Sequence, residues 1–301
     1  MSESGFDLGF WSSRKRQKQL GLFAKYLLAL VLIFFALFPI IIVISASLNP
    51  VNSLASTSLI PRNASFVNYE RLLTDNPFSQ IFPYKRWIVN SLKLASITTI
   101  CSISITTAAA YAFSRFRFRQ RQNMLRGILL IQVFPSLLVM VAVFLLMQQL
   151  GDIIPSLGLD THSGLILVYL GGAMGINIWL MKGYFDSIPR EIDESAMVDG
   201  ATHWQIFTRL LLPLMRPIIV VVSILSFIFV YGDFIVASIL LKSTEQYPLT
   251  VGLYIFTSGQ FAQQWGVFAA GALMGALPIV IIYLILQDQI VGGLTQGAVK
   301  G

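Results

Sequence analysis

Few residues in this sequence combine types and spacings that could do chemistry, and most of them fall within residues 186–217, DSIPREIDESAMVDGATHWQIFTRLLLPLMRP. Ser187 followed by Pro189 reads as a helix N-cap and an early helical proline. Glu191, Asp193 and Glu194 then stand where the positive end of a helix favours acids. Asp199-Gly200 stops that helix, glycine being the residue that tolerates a left-handed C-terminal position. Thr202 to Gln205 has the form of a capping box and starts a second short helix, which Pro213 ends or kinks. Two short helices joined by a glycine elbow make a docking platform and a poor active site.

Catalytic patterns are missing from the rest of the chain. There is no G-x-x-x-x-G-K-[ST] to cradle nucleotide phosphates, no H-E-x-x-H and no G-x-S-x-G. The two histidines, His162 and His203, are far apart and carry no ligand pattern, so no metal site is expected. Cys101, the single cysteine, lies in an apolar run, which excludes an intrachain disulfide and a thiolate metal site.

The elements that must hold the platform are membrane spans. The 301 residues are 55% hydrophobic and 12% charged, with a mean hydropathy of +0.73; a soluble domain carries about 25% charged residues. Six apolar runs, at about 24–48, 88–113, 124–150, 163–185, 218–241 and 266–290, each approach the roughly 20 residues that cross a bilayer. The first is too long for the apolar core of a signal peptide. The net charge of +7 comes from short basic clusters beside these runs, the densest being Arg115, Arg117, Arg119, Arg121 and Arg126, which is a membrane pattern and not a nucleic-acid one. Segments assigned to the inside carry about three times the Lys and Arg of those assigned outside. That places in the cytoplasm an N-terminal segment (1–23), the 186–217 stretch and a C-terminal tail (291–301), around a permease-sized membrane domain over 24–290. Lys93, near the start of the second run, is placed to snorkel to the interface.

Within the spans, Asp233 is the acid that lies well inside an apolar run, and intramembrane charge points to function by default. It lines a solute path, pairs with a partner chain or has a structural role. Tyr231, Gln132 and Asn177 are the other polar candidates for a passage, and helix–helix hydrogen bonding is the simpler account of each. Gly171-x-x-x-Gly175 and Gly271-x-x-x-Gly275 have the spacing that lets helices approach. Pro135 and Pro278 are expected kinks in the third and sixth spans.

Glu194-Ser195-Ala196, Asp199-Gly200-Ala201 and Leu210-x-Leu212-Pro213 resemble the EAA motif of ABC importer permeases (EAA, three residues, G, nine residues, I-x-L-P). Ser195 and Leu210 depart from it by residues of similar size. FFALFPI, NSLKLAS, AYAFSRFRF and QVFPSLLVMVAVF resemble carbohydrate-uptake permeases. THSGLILVYLGG, KGYFDSIP, DGATHWQIF and the terminal GLTQGAVKG resemble more narrowly the smaller membrane subunit of maltose/maltodextrin importers.

The resemblance implies an all-α membrane protein of the MetI-like permease fold. It would have six transmembrane helices, both termini cytoplasmic and the EAA helices between spans four and five. It implies no cofactor on this chain, with ATP and Mg on partner subunits. The implied partners are a larger MalF-like permease subunit, a homodimer of MalK-like ATPase subunits, an extracytoplasmic solute-binding protein and membrane lipid, with no nucleic acid. Glu194, Ser195, Ala196, Asp199, Gly200, Ala201, Leu212 and Pro213 would couple to the ATPase, with Glu194 accepting from a basic group. Ile192, Trp204, Phe207 and Leu211 supply apolar faces, the last two read as anchors to the bundle. The outside segment 242–265 would meet the solute-binding protein through Ser258, Gly259, Gln260 and Phe261. An ion-coupled transporter or channel would also have six spans, but would more readily show a series of intramembrane acids and would not need the platform.

Overall fold

The computed structural model describes residues 14–51, 63–258 and 263–298, and these are helical with no strand among them. In chain order the helices are α1 (Arg14–Leu48), α2 (Val67–Leu73), α3 (Pro77–Ile81), α4 (Tyr84–Arg115), α5 (Arg121–Val133), α6 (Ser136–Ile153), α7 (His162–Ser187) and α8 (Glu191–Val198). A single turn, α9 (His203–Gln205), leads through a π-helical segment (Ile206–Leu211) into α10 (Leu212–Leu214). Then follow α11 (Arg216–Gly232), α12 (Ile235–Leu240), α13 (Leu249–Tyr254) and α14 (Trp265–Ala298).

The bundle is built around α4, whose 32 residues span about 48 Å at 1.5 Å per residue. Its inner face is a run of small and hydroxylic residues, including Ser91, Ala95, Thr98, Ser102, Thr106 and Ala110, all buried. Small side chains let α7 and α11 lie close along it. Hydroxyls are tolerated there because several turn back on their own helix: Thr106 donates to the Ser102 carbonyl at 2.7 Å and Thr107 to that of Ile103 at 2.6 Å.

A small apolar core joins Phe113, Leu125 and Ile178, and two larger ones lie toward opposite ends of α4. One gathers Tyr84, Trp87, Leu94, Leu249 and Phe256 with residues of α7, α11 and α12. The other packs Tyr111, Met181, Phe185, Ile206, Phe207, Leu211 and Met215 against the end that carries the platform. By contrast α1 exposes its apolar residues nearly throughout, Phe35 being 79% exposed.

Three apolar runs differ in shape from the straight spans expected. Pro135 breaks the third run instead of kinking it: α5 and α6 meet at 103°. The proline holds Phe134 in an extended conformation and caps α6 itself. The fourth run bends by 48° near Gly172–Met174. The fifth stops at Gly232 and resumes at Ile235, so Asp233 sits in a break and not deep within a helix. Pro278 lies inside α14, which is continuous through it and extends to Ala298, beyond the expected end at 290. Of the glycine pairs, Gly271 and Gly275 are close-approach positions against Leu253 and Leu249, and Gly175 lies against Gln132, whereas Gly171 faces open space.

Candidate functional site

The platform begins where α7 ends. Ser187 is the last residue of α7 and its hydroxyl donates to the Tyr184 carbonyl at 2.7 Å, so it does not cap α8 as expected. Pro189 lies between the helices, and α8 starts after Arg190 with no side-chain cap. Its far end closes as anticipated: Gly200 has φ +83°, the Gly200 N–H donates to Met197 at 3.0 Å and the Ala201 N–H reaches Ala196 at 2.9 Å. This pair of bonds is a Schellman closure and satisfies the last carbonyls of α8. Thr202 and Gln205 form the reciprocal capping box of the following turn. Between Pro213 and Pro217 the chain turns by 75° into α11.

The acids of α8 do different jobs. Asp193 is only 7% exposed and its Oδ2 lies 2.5 Å from Arg115 Nε on α4. The same guanidinium donates through Nη2 to the Ile188 carbonyl at 3.0 Å. Burial pushes the Asp193 carboxyl up despite the neighbouring Arg115. Arg190 answers from the platform side, its Nη2 donating to the Ser114 carbonyl at 3.0 Å. The Ser114 hydroxyl donates to Asp186 at 2.6 Å, and Lys182 pairs with that carboxylate at 2.5 Å. Burial works against the Asp186 charge, but the bonds from Lys182 and Ser114 outweigh it and hold its carboxyl below the usual range.

Glu191, Glu194 and Ser195 face outward, as do Asp199 and Gly200, while Ala196, Ala201 and Leu212 are half-buried and Pro213 is exposed. Val198 at 88% and Trp204 at 70% are exposed as well. Phe207 and Leu211 are buried in the core beneath, which is the anchoring role read from the sequence. The platform thus offers a free carboxylate among exposed apolar groups, held from below by buried aromatics and an ion pair. That suits docking of a protein surface with a basic group and an apolar cleft.

Arg115 and Asp193 form a buried pair that local sequence rules do not reveal. In the sequence Arg115 belongs to the basic cluster and Asp193 is one of three acids at a helix start. The available signal was one arginine closing a span opposite three clustered acids, which does not say which acid turns inward.

The four passage candidates do not come together. Gln132 and Asn177 line one cavity of about 580 Å³ with Phe134, Ile176, Ser226 and Phe229. Gln132 donates to the Gly172 carbonyl at 3.3 Å, and Asn177 to the Ser226 hydroxyl at 3.0 Å. Tyr231 instead bonds the Gly275 carbonyl at 2.8 Å, tying α11 to α14. Asp233 accepts from the Tyr169 hydroxyl at 2.8 Å and the Ala237 N–H at 3.0 Å, which satisfies the start of α12. At the opposite end, Ser258 is exposed, while Gly259, Gln260 and Phe261 lie outside the described residues. Much of the expected outer loop is packed: Leu249, Val251, Leu253 and Phe256 belong to the core. The Lys93 ammonium lies 3.4 Å from His162 Nδ1 and so has a protein neighbour besides the interface.

Residues 101–294 match the family described as binding-protein-dependent transport system inner membrane component. The chain belongs to that family. It is therefore a membrane permease subunit of a binding-protein-dependent importer, resident in the cell membrane, and not itself an enzyme. The permease is 43% identical over 287 residues to the maltose/maltodextrin transport system permease protein MalG of Photorhabdus laumondii, covering 93% of this chain and 96% of that one. It is 41% identical to the Escherichia coli K12 protein of the same name over the same shares. Among solved structures, a bacterial ABC transporter involved in import of the acidic polysaccharide alginate superimposes with a TM-score of 0.76 at 27% identity, covering 91% of the permease and 97% of that chain. A second alginate ABC transporter structure, at 21% identity and a TM-score of 0.66, shares the fold.

Proposed function

We propose that this permease carries maltose and maltodextrin-type oligosaccharides. In this reading a solute-binding protein delivers the sugar, and ATP with Mg is hydrolysed on two copies of a separate, MalK-like ATPase subunit. A larger, MalF-like permease subunit completes the membrane pore. The observation that carries the sugar class is 43% identity along nearly the whole chain to a permease named for maltose and maltodextrin.

Residues 186–217 are the coupling segment. Glu194 presents its carboxylate to a basic group of the ATPase, and the Gly200 closure sets the angle between the two short helices. The basic-residue distribution puts this segment and both termini in the cytoplasm. The 580 Å³ cavity makes Gln132 and Asn177 the better candidates for the passage, with Tyr231 and Asp233 structural. Residues 258–261 are the contact we assign to the binding protein.

Uptake of labelled sugars into proteoliposomes holding the assembled importer tests the reading. Maltose should enter only with ATP and the binding protein, and Glu194→Ala should cut uptake by about tenfold while the complex still assembles. Uptake without ATP, or a binding protein that takes trehalose and ignores maltose, would overturn the energy source or the sugar respectively.

A further inference from the structure

The platform is joined to the opposite end of the molecule by α4, which runs without a break. Helix α4 is continuous from Tyr84 to Arg115 and touches the platform at its last turns. There Arg115 holds both Asp193 and the Ile188 carbonyl, Arg190 holds the Ser114 carbonyl in return, and the Tyr111 hydroxyl donates to the His203 carbonyl at 3.3 Å. These contacts grip α8 and α9 on both sides of the Gly200 elbow.

About 37 Å away at 1.5 Å per residue, the first turns of α4 grip residues 244–249. The Trp87 indole N–H donates to the Thr244 carbonyl at 2.8 Å. Asn90 donates to the carbonyls of Glu245 at 2.8 Å and Tyr247 at 2.9 Å. The Ser91 hydroxyl accepts the Leu249 N–H at 2.8 Å. This segment leads into α13 and then to Ser258.

The other routes between the two ends are bent. Helix α7 also reaches both, through His162 and the Gln246 carbonyl at one end and its covalent link to α8 at the other, but it is bent by 48° midway. The path through α11 turns by 75° at the platform and breaks at Asp233. Helices α1 and α14 are long and continuous, but among the described residues neither contributes to the core under the platform. A helix that runs unbroken between two clamps transmits displacement along its axis, whereas a bend absorbs part of it.

We propose that α4 is the rod that carries movement of the coupling platform to the outer segment, with Arg115 and Asp193 as positioning residues at its inner joint and Trp87 and Asn90 at its outer joint. The inference rests on the reading of residues 186–217 as the coupling segment. The inner joint is buried and charged: the Arg115 guanidinium pairs with Asp193 and donates one hydrogen bond to the Ile188 carbonyl, a combination that a flexible ammonium would hold less firmly. The outer joint is built from side chains bonding to carbonyls, so it grips the backbone of residues 244–247 directly.

The test measures ATP hydrolysis by the assembled importer in proteoliposomes, with and without sugar-loaded binding protein. Arg115→Gln, Asp193→Asn and Asn90→Ala should each lower the ratio of stimulated to unstimulated hydrolysis by about tenfold in importers that still assemble. Asp193→Glu, which keeps the charge pair, should recover most of the ratio. A merely structural role would lower the amount of complex without changing this ratio. Ratios within about twofold of the parent for both Arg115→Gln and Asn90→Ala would overturn the proposal. If Arg115→Gln does not assemble, Asn90→Ala decides, since it acts at the far end of the rod. Failure of every variant to assemble would also count against it, making both joints assembly contacts. Glu194→Ala and Gly200→Pro in the same assay separate the two readings. If they leave the ratio unchanged, the coupling segment itself is misread; if they lower it while the α4 variants do not, only the rod falls.

Discussion

Gly200 is where the platform's geometry rests on one backbone angle, and a series of substitutions there has separable costs. A Cβ at this position meets no atom within 4 Å, so crowding contributes nothing and the effect comes from φ +83° alone. Holding an alanine in the left-handed region costs about 1–2 kcal/mol. Gly→Ala also stiffens the unfolded chain, which returns about 0.4–1 kcal/mol, leaving a net loss of about 1 kcal/mol for Gly200→Ala. Asparagine visits this region more readily, so Gly200→Asn should lose about half as much. Gly200→Pro cannot adopt the angle and also deletes the N–H that donates to Met197, so it should open the closure altogether, at a cost of about 3 kcal/mol or more. Amide hydrogen exchange over α8, read by mass spectrometry on the assembled importer, should show protection falling in the order Gly, Asn, Ala, Pro. ATP-driven uptake should follow the same order. Protection of α8 in Gly200→Ala equal to the parent would refute the claim that the left-handed angle is fixed by the fold. Full uptake by Gly200→Pro would refute the claim that the elbow sets the coupling angle.

Two further predictions concern other parts of the bundle. Gly252→Ala would drive a Cβ into the fully buried Trp87 ring and should destabilise by about 3 kcal/mol, whereas Gly183→Ala, with open space around it, should be neutral or gain about 0.5 kcal/mol; melting temperatures of the purified complex that do not rank this way would contradict the packing of α13 against α4. Asp160, at φ 58°, accepts from the Ser243 hydroxyl and from the N–H groups of Lys242 and Ser243. Burial works against its charge, but these bonds outweigh it and hold the carboxyl below 3.8. A depressed carboxyl stabilises the folded state above its unfolded pKa and loses that contribution as pH falls through the folded value, so the gain should fade below about pH 4. Asp160→Asn should flatten this acid limb of the melting curve at a cost of about 1 kcal/mol at neutral pH, the bonds being partly screened by water. An unchanged limb would show that Asp160 does not pin residues 242–243.

What was legible in the sequence was whatever a local rule dictates. The left-handed residue at Gly200 and the Thr202–Gln205 box each follow from a few neighbouring residues, and both stand where the local rule puts them; the apolar runs are helical, but three of them are broken or bent. What was not legible depends on distant partners. Ser187 has the chemistry of an N-cap, but α7 continues through it because Phe185 is buried among Tyr111, Phe207 and their neighbours. Pro135 reads as a kink, but the run breaks there, with Phe134 extended and α5 and α6 meeting at 103°. Asp233 looked like charge stranded in an apolar run because hydropathy does not register the single N–H and hydroxyl that satisfy it. The segment 242–258 is polar enough to pass for a free loop, yet its carbonyls are held by Trp87 and Asn90, more than 150 residues away in the chain.

Asp193 and Glu194 carry this distinction down to adjacent residues. Successive positions on a helix are rotated by about 100°, so the two acids point in different directions, and here Asp193 is the buried one and Glu194 the exposed one. Composition and the dipole argument treat them alike; only the position of Arg115 at the end of α4 assigns the inner role to Asp193. Breaking a buried ion pair costs about 3–5 kcal/mol, so the inner acid is committed to holding α8 in place and is not available to a partner. Glu194, exposed and without an ion pair among the described residues, is left free for one. A carboxylate that is to follow a moving ATPase must be fixed to something rigid, and the acid one residue before it supplies that attachment.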